Sequence, residues 1–192
     1  MSSAALRLPT FEELYAEIQA LPEGSTGEIL GPGELRVMAR PGAPHRLSGQ
    51  RIGHALSGSN YALGGTGWWI EVEPEILLPS DRLYVPDLCG WRVTEQPDFI
   101  YDNPIPVPPD WACEILSRAT QRADRVRKLP HYAAAGVGHV WILDPEARTI
   151  EVYETVGGRP VLISTASDAD TVVLPPFDLT LDLGALWLAP RG

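Results

Sequence analysis

The chain has 192 residues, with 25 acidic against 15 basic side chains and a formal net charge of −10. That length fits one domain, here 1–192, with a core that needs no staples, and 44% apolar residues exclude a disordered chain. Two Cys are too few for a disulfide framework or a four-thiolate zinc site, no apolar run nears the roughly 20 residues that span a bilayer, and the N-terminus lacks the apolar centre of a signal peptide, so a soluble, cytoplasmic protein is expected.

Residues 10–21 predict a first helix, capped by Thr10 with Glu13 completing a capping box and Pro22 following its end. Residues 28–39 hold two short apolar runs around Gly31-Pro32-Gly33 and predict a hairpin. Residues 44–63 place Leu47, Ile52, Ala55, Leu56 and Leu63 at helical spacing, with Gly64-Gly65 as the stop. The period then changes to two. Residues 68–78 and 83–93 read as two strands joined through Pro79-Ser80-Asp81. Five prolines make 95–110 a loop. A short strand over 111–116 precedes a helix over 117–135, in which Pro130 should kink or restart the turn, and Gly136 ends it. Strands follow at 139–144, 149–155 and 161–164, then a short apolar tail at 179–188. This order is mixed α/β, an α+β mixed sheet. GxGxxG after a strand, GxxxxGK[ST], HExxH and GxSxG are all missing.

Three features carry chemistry. Pro86-Asp87 interrupts an apolar strand, and Glu114 sits inside Trp111-Ala112-Cys113-Glu114-Ile115-Leu116. A carboxylate in a short buried strand is costly unless something pairs with it. Two on neighbouring strands would repel, and a hard divalent cation between them would resolve that. The third is Asp124-x-x-x-Lys128-x-x-x-Tyr132, whose spacing puts all three on one helical face. Each has a plainer alternative. Asp87 could end a strand or cap a turn, Glu114 could pair with Arg118, Asp124 and Lys128 could be an exposed ion pair, and Tyr132 could simply pack. The combination in this order is less easily accidental than any part.

The ordered set resembles the PD-(D/E)xK restriction-endonuclease-like superfamily, and within it the Uma family of restriction endonucleases. The resemblance runs from about residue 10 to 186. It rests on Gly27-Glu28-Ile29-Leu30 with Gly33-Glu34-Leu35, Pro44-His45 and Val85-Pro86-Asp87. It continues through Cys113-Glu114-Ile115-Leu116-Ser117-x-x-Thr120, Asp124-x-x-x-Lys128-x-x-x-Tyr132 and Ala135-Gly136-Val137-x-His139-Val140-Trp141-Ile142-Leu143-Asp144-Pro145. It implies a restriction-endonuclease-like core with an N-terminal helix and hairpin and extra C-terminal strands. It also implies a Mg²⁺-dependent phosphodiesterase acting on DNA, with Mn²⁺ as a substitute ion and a homodimer as the working form. Asp87 and Glu114 would be metal ligands, with the Ile115 carbonyl a third. Glu28 would be the upstream acid, as ligand or behind one. His45 would stand near the start of the second helix, in catalysis or in a helix-start hydrogen bond. The superfamily's strand lysine would fall at 116, which is Leu here. The resemblance assigns that ammonium to Lys128 on the next helix, with Asp124 one turn earlier to position it and Tyr132 on the same face.

The acidic total argues against an obligate, non-specific nucleic-acid binder, but charge is uneven locally. From 35 to 70 there are Arg36, Arg40, Arg46 and Arg51 and no acids. From 117 to 131, Arg118, Arg122, Arg125, Arg127 and Lys128 face only Asp124. Both stretches adjoin proposed site residues, as a phosphate-binding patch would. Arginines covering helix faces and pairing with surface acids would give the same count. Three functions therefore compete: a nuclease, a catalytically inactive nuclease-fold module for nucleic-acid or protein binding, and an interaction protein that dimerises through its hairpin and Trp residues. Cys89 and Cys113 read as buried packing, since no His lies near enough in sequence to complete a zinc or nucleophilic site.

Overall fold

Two sheets meet at a break in the chain, and that break builds the site. In the computed structural model, residues 7–189 are described; the N-terminal stretch expected to lack a leader lies partly outside them. Helix α1 (Phe11–Gln19) opens on the expected capping box, with Thr10 accepting from the Glu13 amide and the Glu13 carboxylate accepting from the Thr10 amide. It lies on a hairpin of β1 (Ser25–Gly31) and β2 (Glu34–Ala39). A Cβ at Gly27 would come 2.5 Å from Ile18 Cγ1, so glycine is what lets the helix approach this strand. Helix α2 (Ala43–Ala55) follows, then two 3₁₀ turns ending at Gly64, whose φ of 83° only glycine takes easily.

The two long strands expected over 68–78 and 83–93 are each divided. β3 (Trp68–Val72) and β6 (Leu88–Arg92) pair in one sheet, whereas β4 (Ile76–Leu78) and β5 (Arg82–Tyr84) pair in another. The breaks fall at Glu73-Pro74, where Glu73 holds a φ of 52°, and at Val85-Pro86-Asp87. Proline supplies no amide for a central ladder, so each run stops at its proline and changes sheet. The four-stranded sheet has the order β2-β1-β5-β4.

The six-stranded sheet also contains β7 (Trp111–Ile115), β8 (His139–Asp144), β9 (Thr149–Val156) and β10 (Arg159–Ser167), in the order β10-β9-β8-β7-β6-β3. Only β7 and β8 run parallel within it, and the helical crossover between them begins with α3 (Gln121–Ala123), passes through a π-turn (Asp124–Lys128) and ends in α4 (Leu129–Ala134). The expected helix over 117–135 thus starts later and is not uniform; the backbone stays helical through Lys128 and Leu129, and Pro130 stands in the first turn of α4 with no break there. β11 (Thr171–Val173) and β12 (Thr180–Asp182) form a separate ribbon.

Strand parity sorts the core. Trp111, Cys113 and Ile115 of β7 join Ile52 and Leu56 of α2 and the C-terminal Phe177 and Trp187 on one face. Ala112 and Leu116 join Leu129 and Tyr132 of the crossover on the other. Glu114 has the parity of Ala112 and Leu116, so it faces the crossover helix.

Candidate active site

Eight ionisable groups from six parts of the chain converge where the sheets meet. Asp87 stands just before β6, outside the strand in which sequence placed it. Its Oδ1 is 3.0 Å from His45 Nε2 in the first turn of α2, and its Oδ2 accepts from the Ile115 amide at 2.6 Å. Both carboxylate oxygens are thereby oriented. Glu114 Oε1 accepts from the Tyr132 hydroxyl at 2.6 Å and meets Lys128 Nζ at 2.6 Å. The same Nζ is 2.7 Å from Glu28 Oε1 on β1, which also accepts the Val85 amide at 3.1 Å. Lys128 therefore ties a carboxylate of one sheet to a carboxylate of the other. Arg36 of β2 approaches the cluster from outside, 3.5 Å from Glu28 Oε2 and 3.9 Å from Asp124 Oδ1.

The groups are deeply set: Glu28 is 0% exposed, Asp124 and Lys128 2%, and Glu114 3%. Burial pushes the Glu114 carboxyl well above the ordinary carboxylate range; Lys128 pulls it back in part, while Asp124, Asp87 and Glu28 push it further. Burial likewise raises Asp124, against the pull of Lys128 and a hydrogen bond from Thr120. For Lys128, burial disfavours the charge, but Glu114, Glu28 and Asp124 outweigh it and raise the group above an ordinary lysine. Burial, then Glu114 and Glu28, drives Tyr132 up, so it stays a hydroxyl donor. The ammonium is held charged inside an excess of carboxylate.

A cavity of about 510 Å³ opens over this cluster, with Arg36, His45, Asp87, Glu114, Asp124 and Lys128 in its lining. Glu28 and Tyr132 stand behind that surface, one supporting Lys128 and the other Glu114. Glu114 makes both contacts through Oε1, leaving Oε2 without a protein hydrogen bond among the described residues. Asp87, Glu114 and the Ile115 backbone suit a hard divalent cation that keeps several waters, as Mg²⁺ does. Among the described residues, no three His, Cys, Asp or Glu side chains form a ready-made cation cage.

Several expectations change at the residue level. Arg118 pairs with Glu146, leaving Glu114 to Lys128. Asp124 and Lys128 are buried, not an exposed ion pair, and Asp124 turns to Arg36 while the two glutamates hold the ammonium. Leu116 is buried against Leu129 and Tyr132, so that strand position supplies packing only. Cys89 and Cys113 are free and buried, their thiols pushed up by burial. Two site-lining residues were not singled out from the sequence. Glu73 also lines the cavity, and its amide donates to the Asp87 carbonyl at 3.2 Å; its signal was the Glu-Pro interruption of an apolar run. Arg36 was visible only as part of a basic stretch.

Comparison with known proteins bears on this arrangement. No curated protein matches. A solved structure described as a "putative nuclease belonging to DUF820", from Anabaena variabilis, is similar with a TM-score of 0.68. It is 19% identical, over 93% of this chain and 97% of that one, a likeness of fold. Residues 10–184 match the family model described as "Uma2: Putative restriction endonuclease", and the chain belongs to that family.

Proposed function

We propose that the protein is a divalent-metal-dependent endonuclease that hydrolyses DNA phosphodiester bonds at the Asp87–Glu114–Lys128 cluster. Family membership gives the coarser statement, a nuclease-type hydrolase with a nucleic-acid substrate. The observation that carries the finer one is the lone lysine of the chain, buried between Glu28 and Glu114 at the floor of the cavity that Asp87 also lines.

Asp87, Glu114 and the Ile115 carbonyl would hold Mg²⁺, with Mn²⁺ as a substitute. When bound, such an ion neutralises phosphate charge and lowers the pKa of a water beside it. His45 and the Ile115 amide fix the rotamer of Asp87. Tyr132 and Lys128 fix Glu114 through Oε1 and leave Oε2 uncommitted among the described residues. Lys128 keeps its proton among three carboxylates and offers positive charge to the phosphate as negative charge builds in the transition state. Asp124 and Arg36 complete the charge balance around it. The working form is proposed to be a homodimer, supported by exposed Val161, Leu162 and Ile163 on β10, an outer strand of the six-stranded sheet.

A second reading, a nuclease fold kept as a binding module, is favoured by the closed Glu28–Lys128–Glu114 pairing, which also serves as a purely structural tie. One experiment separates the two. Plasmid and single-stranded DNA are incubated with wild type, Asp87→Asn, Glu114→Gln and Lys128→Met in Mg²⁺, Mn²⁺ or EDTA, and binding of Mn²⁺ is followed by its paramagnetic signal. Metal-dependent cutting that is lost in all three variants, with Mn²⁺ binding weakened in the first two, supports the nuclease. DNA binding without cutting by wild type supports the module.

A further inference from the structure

We propose that Tyr84 is a positioning residue of the site: its ring backs both groups that hold Glu114, the Lys128 ammonium and the Tyr132 hydroxyl, and His131 keeps the ring in place. The proposal rests on the nuclease reading and deepens it.

The ammonium has only two close oxygen partners. Nζ of Lys128 meets Glu114 Oε1 at 2.6 Å and Glu28 Oε1 at 2.7 Å, but its third contact, the Val85 carbonyl, lies at 3.5 Å. That distance is at the outer limit of a hydrogen bond. Nζ also stands over the Tyr84 ring, 5.6 Å from its centroid. The face of an aromatic ring is negative, and it attracts a cation within about 6 Å, most strongly where water is excluded. Both residues meet that condition, Tyr84 being 0% and Lys128 2% exposed. Lys128 lines the cavity and Tyr84 does not. The ring therefore supports the ammonium without occupying the space where a ligand would sit.

The same ring reaches the second group. Tyr84 and Tyr132 pack edge to face, with centroids 5.6 Å apart and planes at 77°. Tyr132 donates to Glu114 Oε1 at 2.6 Å, the oxygen that Lys128 also meets. One side chain thus stands against both donors to that oxygen.

Tyr84 is itself fixed. It lies on β5, three residues before Asp87, and its hydroxyl is hydrogen-bonded to His131 Nδ1 on α4. Burial pushes the hydroxyl above the ordinary tyrosine range, against Arg82 and Lys128. Burial, with Arg82 and Arg127, pushes His131 below the ordinary histidine range. At neutral pH the tyrosine is therefore an O–H donor and the imidazole a neutral acceptor. The bond ties the strand that leads to Asp87 to the helix that carries Tyr132. An apolar residue could fill the same space, but it would supply neither the ring face nor the hydroxyl.

Lys128 is the only lysine of the chain, so protein grown on ¹⁵N-lysine gives a single side-chain ammonium signal by NMR, readable without DNA. In wild type the ammonium protons should show cross-relaxation with the Tyr84 ring and an upfield shift from its face. Tyr84→Leu should abolish both and speed hydrogen exchange of the ammonium. It should also lower kcat for plasmid cutting in Mg²⁺ by ~10- to 100-fold with KM little changed, the loss that a misplacement of about 1 Å brings. Tyr84→Phe keeps the ring and loses the His131 bond; it should lower stability yet recover most of the shift and of kcat. Ile150→Ala, a truncation in the core on the α2 face of the sheet, should lower stability and move neither. Absence of cross-relaxation with the Tyr84 ring in wild type overturns the proposal, whether or not Tyr84→Leu folds. So does a Tyr84→Leu ammonium signal like that of wild type, a kcat no lower than that of Ile150→Ala at equal folded fraction, or a Tyr84→Phe variant as impaired as Tyr84→Leu. A wild type that cuts no DNA overturns the nuclease reading, while the ammonium signal still decides whether Tyr84 positions Lys128.

Discussion

At the scale of single residues, Lys128 has two duties that a substitution separates. Its ammonium neutralises Glu28 and Glu114, and all three residues are almost wholly buried. Removing one partner of a buried ion pair costs about 3–5 kcal/mol, because the carboxylates left behind stay buried and unpaired. Lys128→Met is therefore expected to lose stability on that order in urea melts at neutral pH. Burial already holds the Glu114 carboxyl high, and without Lys128 it should rise further. A carboxyl whose folded pKa lies above its unfolded one penalises the fold once ionised, and the penalty fades as pH falls through the folded value. The stability gap between Lys128→Met and wild type should thus narrow as pH is lowered from neutral, and Glu114→Gln in the Lys128→Met background should narrow it at neutral pH and above, with little effect once Glu114 would be protonated. A gap independent of pH would mean that Glu114 is not the group left stranded. The residues of this network were largely legible in sequence, because a carboxylate in an apolar strand and a single lysine four residues from an aspartate are local signals. Their partners were not. Nothing near Lys128 in sequence names Glu28, which is a hundred residues earlier and reaches it only because the hairpin folds over the crossover.

At the scale of elements, the helices were easier to read than the strands. The capping box of α1 depends on neighbours in sequence and formed as expected, whereas the helix passes Pro130 without a break. The apolar runs 68–78 and 83–93 look continuous, because alternation is preserved across the prolines. Only the tertiary structure shows that each run serves two sheets. The fit of α1 against the first sheet gives a prediction at this scale. A Cβ at Gly27 has no space beside Ile18, and overpacking of a filled site costs typically 1–3 kcal/mol. Gly27→Ala should lower stability by about that much. Because Glu28 is the next residue, it should also reduce any DNA cutting more than its stability loss explains. Ile18→Ala in the same chain should restore part of both, and a lack of rescue would show that the contact is not what limits the position.

At the scale of the whole molecule, the mixed order of elements led to the right class, and the six-stranded sheet with a helical crossover on one face and α2 on the other is what positions the cluster. What composition could not convey is where the charge goes. A protein of net charge −10 places six of its 14 arginines in the lining of the site cavity and of two cavities that share residues with it, and two of these, Arg118 and Arg127, are spent on local acids before any ligand arrives. Association is predicted at the edge of the six-stranded sheet. Val161, Leu162 and Ile163 are 43, 50 and 42% exposed on an outer strand, a face that pairs readily with another copy. Sedimentation of wild type should show a dimer that Leu162→Lys converts to monomer; a monomeric wild type would remove the dimer from the proposal.

The π-turn over Asp124–Lys128 has a consequence for how this site can change over time. A π-turn holds one residue more than an α-turn. Losing that extra residue would leave an ordinary α-turn with the flanking turns still nearly aligned, and at a spacing of three Asp124 and the lysine would remain neighbours on one face. The bulge is thus a length change that the helix around it can absorb, so a one-residue deletion within 125–127 is expected to keep the lysine facing the cluster while changing how far its ammonium reaches.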